Sequence, residues 1–313
     1  MKTVFLFPGQ GSQKAGMLNC FAQDDPIVDA IFKETEETLG IPAVTLDTAE
    51  KLESTQYVQL CLLITEVISA RRLLAQGVTV DFVAGHSIGA FSAAVISGVL
   101  TFAQAVKLVD LRGRLMQEAY PENYGMAAMI GFTETRLRKY IDEHNKSHTA
   151  VYLSNLNAVD QQVVAGQKDS LEILIQSLQK AGINKAKLLN MSVPSHCVLL
   201  DNVSAALKEQ IELLDLGEPQ IAYTSNHTGR LLRTTEAIRN DLYISVAKTV
   251  KWYDGTTLLY ELDARCFIEM EPSGVLSKIA EATFPNAIVL AVEENGTDKV
   301  VWLWKNYQQE EHK

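Results

Sequence analysis

The feature that most constrains this chain is a serine between two glycines, placed where an apolar segment gives way to a helical pattern. Residues 78–84 are mostly β-branched and apolar and predict a buried strand, and Gly85-His86-Ser87-Ile88-Gly89 follows directly. Residues 88–97 then predict a helix of small residues. A serine on a tight turn from strand to helix is held in the open, and the glycines let the two elements approach closely. The pattern predicts a nucleophilic serine, with an ordinary tight turn as the alternative.

Strands and helices alternate along most of the chain, which is typical of a parallel sheet covered on both faces. The main predicted elements are strands at 3–7, 221–224, 266–270 and 287–292 and helices at 59–76 and 101–119. The polar segment from Asn306 is expected to fray. With 313 residues and 47% hydrophobic composition, the chain can bury a large core.

The middle of the chain has a different order of elements. Its predicted elements are a strand at 126–132, a helix at 134–144, strands at 151–155 and 162–165, a helix at 171–181 and a strand at 185–191. This β-α-β-β-α-β order is the ferredoxin-like pattern. The sequence therefore predicts a large α/β domain, residues 1–124 and 193–313, with an inserted ferredoxin-like subdomain, residues 125–192.

A serine nucleophile needs a base, and two of the six histidines are suitable candidates. His196 ends the segment Val193-Pro194-Ser195-His196, where the chain returns from the predicted insertion to the large domain. Such a junction is a natural wall for a cleft between domains. His227 ends a predicted strand and is a second candidate. The pattern alone leaves both histidines open.

An arginine falls on the apolar stripe of the helix that follows Thr101. Arg112 continues the helical spacing of Ala105, Leu108 and Val109, so it is expected to face the core. A buried guanidinium needs an anionic partner, because an isolated buried charge is very costly. The partner is either an internal carboxylate or a substrate carboxylate, which arginine binds with two parallel hydrogen bonds. A side chain that reaches solvent from the edge of the stripe is the third possibility.

The loop after the first predicted strand, Pro8-Gly9-Gln10-Gly11-Ser12-Gln13, is rich in glycine but lacks the spacing of a nucleotide-binding loop. Its exposed N–H groups could form an oxyanion hole with the amide of Ile88, or the loop is a plain tight turn. No spacing of histidines, cysteines or carboxylates predicts a metal site.

Charge and composition exclude several classes of protein. The 38 acidic and 28 basic side chains give a formal charge of −10, which argues against general nucleic-acid binding. No apolar run reaches membrane-spanning length, and the apolar start is too short for a signal peptide. The four cysteines are scattered and are expected to be reduced and buried. A cytoplasmic protein without a membrane contact is expected.

Four segments together resemble the malonyl-CoA:acyl-carrier-protein transacylase family: the Gln10 loop, the Ser87 pentapeptide, Leu111-Arg112-Gly113 and the segment ending at His196. Their order and approximate spacing match across nearly the whole chain. The resemblance implies an acyltransferase with an α/β-hydrolase-like large domain and a ferredoxin-like insertion. It also implies malonyl-CoA as substrate, a carrier protein's prosthetic arm as acceptor and no bound cofactor.

The resemblance also implies roles for individual residues. Ser87 would be the nucleophile and His196 the general base, oriented by a backbone carbonyl expected near Val250-Lys251-Trp252. The other implied positions are the malonyl-carboxylate ligand Arg112, the oxyanion-hole amides of Gln10 and Ile88, and the supporting polar residue Gln59.

Two departures from the fatty-acid-synthesis form bear on the acceptor. Ala90-Phe91 stands where that form has glutamate followed by an aromatic, and residues 120–128 look closer to the transacylase subunit of malonate decarboxylase. The preferred hypothesis is therefore that the carrier subunit of malonate decarboxylase is charged, with the other subunits of that complex as further partners. The alternative is malonyl transfer for fatty-acid synthesis. A serine hydrolase and a catalytically silent carrier-binding subunit are the remaining hypotheses.

Overall fold

The computed structural model describes residues 1–11, 13–21, 24–120 and 122–310. Ser12 and Pro121, which belong to segments named above, lie outside the described residues. The strands are β1 Lys2–Phe7, β2 Phe82–Gly85, β3 Tyr124–Ile130, β4 Val151–Ala158, β5 Gln161–Gln167, β6 Lys185–Leu188, β7 Ala222–Thr224, β8 Leu231–Leu232, β9 Ala264–Glu269 and β10 Ile288–Ala291. The α-helices are α1 Pro26–Leu39, α2 Thr55–Ala75, α3 Gly89–Ile96, α4 Phe102–Ala119, α5 Glu134–His144, α6 Lys168–Lys180, α7 Asp201–Ile211, α8 Thr235–Ile244, α9 Trp252–Glu261, α10 Val275–Thr283, α11 Val292–Asn295 and α12 Thr297–Glu310.

The larger sheet has the strand order β10-β9-β1-β2-β7-β8, and all its neighbouring pairs are parallel except β7 with β8. Strand β1 lies inside the sheet and is buried on both faces. Phe5 and Phe7 join the core on one face, whereas Val4 and Leu6 join the core on the other. This alternation follows from the two-residue period of a strand, and it confirms the predicted parallel α/β architecture.

The smaller sheet is antiparallel, with the order β4-β5-β3-β6, and its elements follow the predicted β-α-β-β-α-β order. Helices α5 and α6 cover one face, where Ala127 and Met129 are buried. Met126 and Ala128 lie on the opposite face, which borders a cavity next to the larger sheet. We propose that this subdomain spans residues 125–192, although β3 already begins at Tyr124.

Strand β2 is shorter than the sequence predicts, because it begins at Phe82 rather than Val78. The Val78 N–H donates to the Leu73 carbonyl at the end of α2, so this segment continues the turn that closes the helix. Asp81 then fixes the start of β1, since its carboxylate accepts from the Thr3 N–H at 2.8 Å.

The chain does not fray at Asn306, and that prediction is wrong. Helix α12 continues to Glu310 because its apolar side has a place to pack. Trp304 is buried and donates from Nε1 to the Thr3 hydroxyl at 2.9 Å, and Gln308 donates to the Met1 carbonyl at 3.0 Å. Among the described residues, no helix combines the length and apolar character needed to cross a membrane.

Candidate active site

Ser87 lies at the sharp turn between β2 and α3, with a left-handed backbone at φ 57°. The two glycines of the pentapeptide are required by close backbone approach. A Cβ on Gly89 would lie 2.3 Å from the Phe7 carbonyl oxygen, and one on Gly85 would lie 2.1 Å from the Gly89 carbonyl oxygen. This is the strand–turn–helix geometry that the sequence predicts, and it places the hydroxyl at the edge of a cavity.

His196 is the histidine that reaches Ser87. Its Nε2 lies 2.7 Å from the Ser87 Oγ, and its Nδ1 lies 2.6 Å from the Ser245 carbonyl oxygen. A carbonyl can only accept, so Nδ1 carries the proton and donates it to Ser245. Nε2 is then free to accept the hydroxyl proton of Ser87, which is the arrangement that a general base needs.

The predicted source of that carbonyl, residues 250–252, is wrong. The Val250 carbonyl instead accepts from the Leu156 N–H at 2.8 Å, and the Lys251 carbonyl accepts from the Gly255 N–H at 3.0 Å inside α9. Ser245 lies just after α8, in a single 3₁₀ turn that places its carbonyl beside the imidazole.

The second candidate histidine has a different partner. His227 Nδ1 lies 2.8 Å from the Asp241 carboxylate, which is fully buried. Asp241 therefore pairs with the histidine that is not at the nucleophile. In the described part of the chain, His227 makes no hydrogen bond to Ser87.

His196 is held in its neutral form. Burial above all, together with the nearby positive charge of Arg112, lowers its pKa to about 3 despite the opposing effect of the Ser245 carbonyl. A neutral imidazole is the form that can take a proton from serine.

The rate at which a fluorophosphonate reagent labels Ser87 should not show a titration step near pH 6.5, the ordinary histidine pKa. Because the folded pKa is about 3, His196 stays unprotonated down to about pH 4.5. Labelling rates measured from about pH 4.5 to 8 check this, with circular dichroism at each pH as the folding control. A midpoint between about 6 and 7 would contradict it.

The lowered pKa of His196 also makes the stability of the fold depend on pH. The unfolded chain binds a proton at this histidine below about pH 6.5, whereas the folded chain binds it only near pH 3. The contribution of His196 to the free energy of unfolding is therefore present above pH 6.5 and is lost progressively as the pH falls towards 3.

Arg112 is buried, as its position on the apolar stripe predicts, with 1% of its surface exposed. Its Nη1 donates to the Gln59 Oε1 at 2.6 Å and its Nη2 to the Ser87 Oγ at 3.2 Å. Burial lowers its pKa to about 10, so the guanidinium remains charged at neutral pH. Gly113, the next residue, lets α4 pack closely against α2, since a Cβ there would lie 2.5 Å from the Gln56 Cα of α2.

No protein carboxylate neutralises Arg112 among the described residues, and its Nε has no hydrogen-bond partner there. The described residues thus offer no internal salt bridge and leave the Nε donor of the guanidinium unused, while Nη2 contacts the nucleophile. This arrangement suits an incoming anion that brings its own carboxylate.

The cavity beside Ser87 has a volume of about 260 Å³ and lies between the free face of the smaller sheet and the large domain. Gln10 and His196 line it together with Ser87. Among the described residues, the N–H groups of Gln10 and Ile88 have no hydrogen-bond acceptor. The Ile88 N–H also lies at the start of α3, where the helix dipole favours negative charge.

Three groups at the site were missed in the sequence. They are the Ser245 carbonyl, the Asn226 side chain beneath Ser87, and Asn157, whose Oδ1 lies 3.1 Å from the His86 Nε2. Asn226 meets Ser87 because β7 is the parallel neighbour of β2 and both strands end at the same sheet edge, so a strand order would have been needed to find it. In the described ranges, no three of the His, Cys, Asp and Glu side chains are grouped so that they could hold a metal ion.

Residues 4–311 match the family model described as acyl transferase domain. The malonyl CoA-acyl carrier protein transacylase of Escherichia coli (strain K12) is 33% identical over 296 residues, which covers 93% of this chain and 96% of that protein. The enzyme of the same name from Bacillus subtilis (strain 168) is 31% identical over 300 residues, with 95% of both chains covered.

Solved structures agree with this match. The malonyl CoA-acyl carrier protein transacylase from Coxiella burnetii superposes with a TM-score of 0.91 at 29% identity, covering 97% of both chains. A malonyl-transacylase in complex with a type II polyketide acyl-carrier protein superposes with a TM-score of 0.87 at 32% identity, covering 93% of this chain and 95% of that one. The chain is therefore an acyltransferase and belongs to the malonyl-CoA:acyl-carrier-protein transacylase family.

Proposed function

We propose that this enzyme transfers the malonyl group of malonyl-CoA to the prosthetic-group thiol of an acyl carrier protein through a malonyl-Ser87 intermediate. The observation that carries the proposal is the buried Arg112 guanidinium, which contacts the Ser87 hydroxyl and has no carboxylate partner among the described residues. A thioester whose acyl group carries a free carboxylate fits the Ser87 hydroxyl and the Arg112 guanidinium at once.

In the first half-reaction, His196 takes the hydroxyl proton as the Ser87 Oγ attacks the thioester carbonyl carbon. The C–S bond then breaks, and the CoA thiolate leaves with the proton from His196. The distance of 2.7 Å between Oγ and Nε2 supports direct proton transfer. In the second half-reaction, the carrier's thiol gives its proton to His196 and attacks the malonyl ester. The bond between the acyl carbon and Oγ then breaks, and Ser87 Oγ takes the proton back from His196.

The tetrahedral intermediate carries a negative oxygen that needs hydrogen-bond donors. The N–H groups of Gln10 and Ile88, which have no acceptor among the described residues, are the donors that we assign to it. Ser87 cannot supply its own N–H, because that group already donates to Asn226 Oδ1 at 3.0 Å.

Arg112 would bind the free carboxylate of the malonyl group, and Gln59 would hold Arg112 in place. The Gln59 amide accepts from Nη1 at 2.6 Å and donates in turn to the Met116 sulfur at 3.4 Å. The Phe91 ring lies beside the guanidinium, with 5.9 Å between the Arg112 Cζ and the ring centroid. These contacts support a fixed fork that receives one carboxylate.

We assign the acceptor to the acyl-carrier class named by the relatives. The E. coli and B. subtilis relatives carry that class in their names, and one structural match is a complex with such a carrier. This favours the alternative acceptor of the sequence analysis over the carrier of malonate decarboxylase. The departure at Ala90 lies away from the cavity, since this residue of α3 is fully buried in the core and does not line the cavity beside Ser87.

The test is malonyl transfer from malonyl-CoA to two purified carriers, one with a phosphopantetheine arm and one with the phosphoribosyl-dephospho-CoA arm of malonate decarboxylase. We expect kcat/KM to be at least about tenfold higher for the phosphopantetheine carrier. The reverse preference would move the assignment to malonate decarboxylase. Free malonate without carrier product would indicate a hydrolase, and no turnover would indicate a silent carrier-binding subunit. The same carriers without their arms are the controls.

A further inference from the structure

One side chain binds both ends of the strained turn that presents the nucleophile. The Asn226 Nδ2 donates to the Gly85 carbonyl at 2.8 Å, and its Oδ1 accepts from the Ser87 N–H at 3.0 Å. The two bonds bridge the first half of the pentapeptide, from Gly85 to Ser87, and Ser87 is the residue with the left-handed conformation, φ 57°. A non-glycine residue keeps such a conformation only when its surroundings impose it.

We propose that Asn226 is a positioning residue of the reaction: its amide clamps the turn and thereby aims the Ser87 Oγ at His196. The proposal rests on Ser87 being the nucleophile, as in the proposed function, and it is independent of which acyl group Ser87 carries.

Asn226 is itself held in place by backbone hydrogen bonds to neighbouring segments. It is 3% exposed, its N–H donates to Asp241 Oδ2 at 3.1 Å, and its carbonyl accepts from the Lys251 N–H at 2.7 Å. Asp241 is fully buried and also accepts from the Tyr223 hydroxyl at 3.0 Å and from His227. Every polar group of Asn226 is therefore engaged, and a fully satisfied buried network holds one geometry.

The other reacting groups are held by contacts that do not involve Asn226. Ser245 orients His196 at 2.6 Å, and Gln59 orients Arg112 at 2.6 Å. Loss of the Asn226 amide should therefore release only the turn. The Ser87 Oγ would leave its position 2.7 Å from Nε2, while the base keeps its pKa and the malonyl site keeps its arginine. This predicts a loss in kcat with little change in KM.

The chain contains a matched control for a purely structural role. The Asn145 amide makes the same pair of bonds, donating to the Val151 carbonyl at 3.0 Å and accepting from the Val151 N–H at 2.9 Å. Asn145 caps α5 in the small subdomain and does not line the cavity. Replacing it removes an equivalent clamp away from the nucleophile.

The experiment compares Asn226→Ala, Asn226→Asp and Asn145→Ala with the unmodified enzyme. Ser87 is labelled by a fluorophosphonate: Oγ bonds to phosphorus, fluoride leaves and His196 takes the hydroxyl proton. Thermal unfolding shows which variants are folded. We expect Asn226→Ala to label about 30- to 100-fold more slowly at every pH, and Asn145→Ala to label within about threefold of the unmodified enzyme. Asn226→Asp keeps the acceptor for the Ser87 N–H but loses the donor to Gly85, so we expect a loss of about 5- to 20-fold.

A folded Asn226→Ala that loses less than about tenfold would overturn the proposal, as would a rate loss confined to one side of the pH profile, which would point to His196 instead. If Asn226→Ala does not fold, Asn226→Asp decides: a loss of at least about fivefold supports the clamp, and a smaller loss overturns it. Malonyl transfer by the unmodified enzyme is measured alongside. If the unmodified enzyme does not transfer malonyl, the proposed substrate is refuted, but the labelling comparison stays valid. Failure of the proposed function can therefore be told apart from failure of the Asn226 proposal.

Discussion

Ser87→Ala is expected to lower malonyl transfer by about 10⁴- to 10⁶-fold, the range seen when the nucleophile of a serine enzyme is removed. The reason is that no other hydroxyl among the described residues lies at hydrogen-bond distance from His196 Nε2, where Ser87 Oγ lies at 2.7 Å. The remaining groups can bind malonyl-CoA but cannot form the ester intermediate. The measurement is the steady-state rate of malonyl transfer to the carrier, together with the binding of malonyl-CoA by calorimetry.

Ser97→Ala is the matched control for this change. Ser97 is a fully buried serine at the C-terminal end of α3, the helix that follows Ser87. Its hydroxyl donates to the Ala94 carbonyl at 3.1 Å. We expect the transfer rate of Ser97→Ala to stay within about threefold of that of the unmodified enzyme, because a substitution away from the site affects stability more than the rate of transfer. Residual activity of more than about 1% in Ser87→Ala would mean that another group is the nucleophile.

Arg112→Ala is expected to reverse the preference of the enzyme for malonyl over acetyl thioesters. Without the guanidinium the malonyl carboxylate would enter a buried site unpaired, at a cost of about 2–5 kcal/mol, or roughly 30- to several-thousand-fold in kcat/KM. An acetyl group has no such carboxylate, so acetyl transfer should be unchanged or faster. The ratio of the two kcat/KM values, measured with malonyl-CoA and acetyl-CoA, reports the effect.

Two further variants separate charge from geometry at this position. Arg112→Lys keeps the charge but not the planar fork, so we expect an intermediate loss of selectivity. Arg114→Ala removes an exposed arginine of the same helix, whose Nη1 lies 3.7 Å from Glu118, and should change neither rate. An equal fall in malonyl and acetyl transfer in Arg112→Ala would refute the assigned role.

The parts of the site that the sequence predicted are those fixed by local pattern. Ser87 follows from a strand, a turn and a helix that are contiguous in the chain, and Gly85 is demanded by its close approach to Gly89 within the same turn. Arg112 follows from the helical spacing of α4, which places it on the buried side. Local periodicity carries such information because one face of each element must be buried.

The parts that the sequence did not predict depend on contacts between distant segments. The pattern left His196 and His227 open, and only the packing of the segment after β6 against the turn after α8 brings His196 to Ser87 and Ser245. The orienting carbonyl was placed about five residues too late because a main-chain acceptor has no signature in the side chains. Asn226 reaches across from β7 to the turn after β2, a pairing that depends on strand order rather than on spacing.

The central claim is that Ser87 carries the malonyl group between CoA and the carrier. Intact-mass spectrometry of the enzyme mixed with malonyl-CoA, followed by peptide mapping, tests it most directly. We predict one malonyl adduct per chain, located on Ser87, which disappears when holo carrier protein is added and reappears as malonyl carrier. Carrier malonylation without any adduct, or an adduct on another residue that the carrier then removes, would contradict the claim.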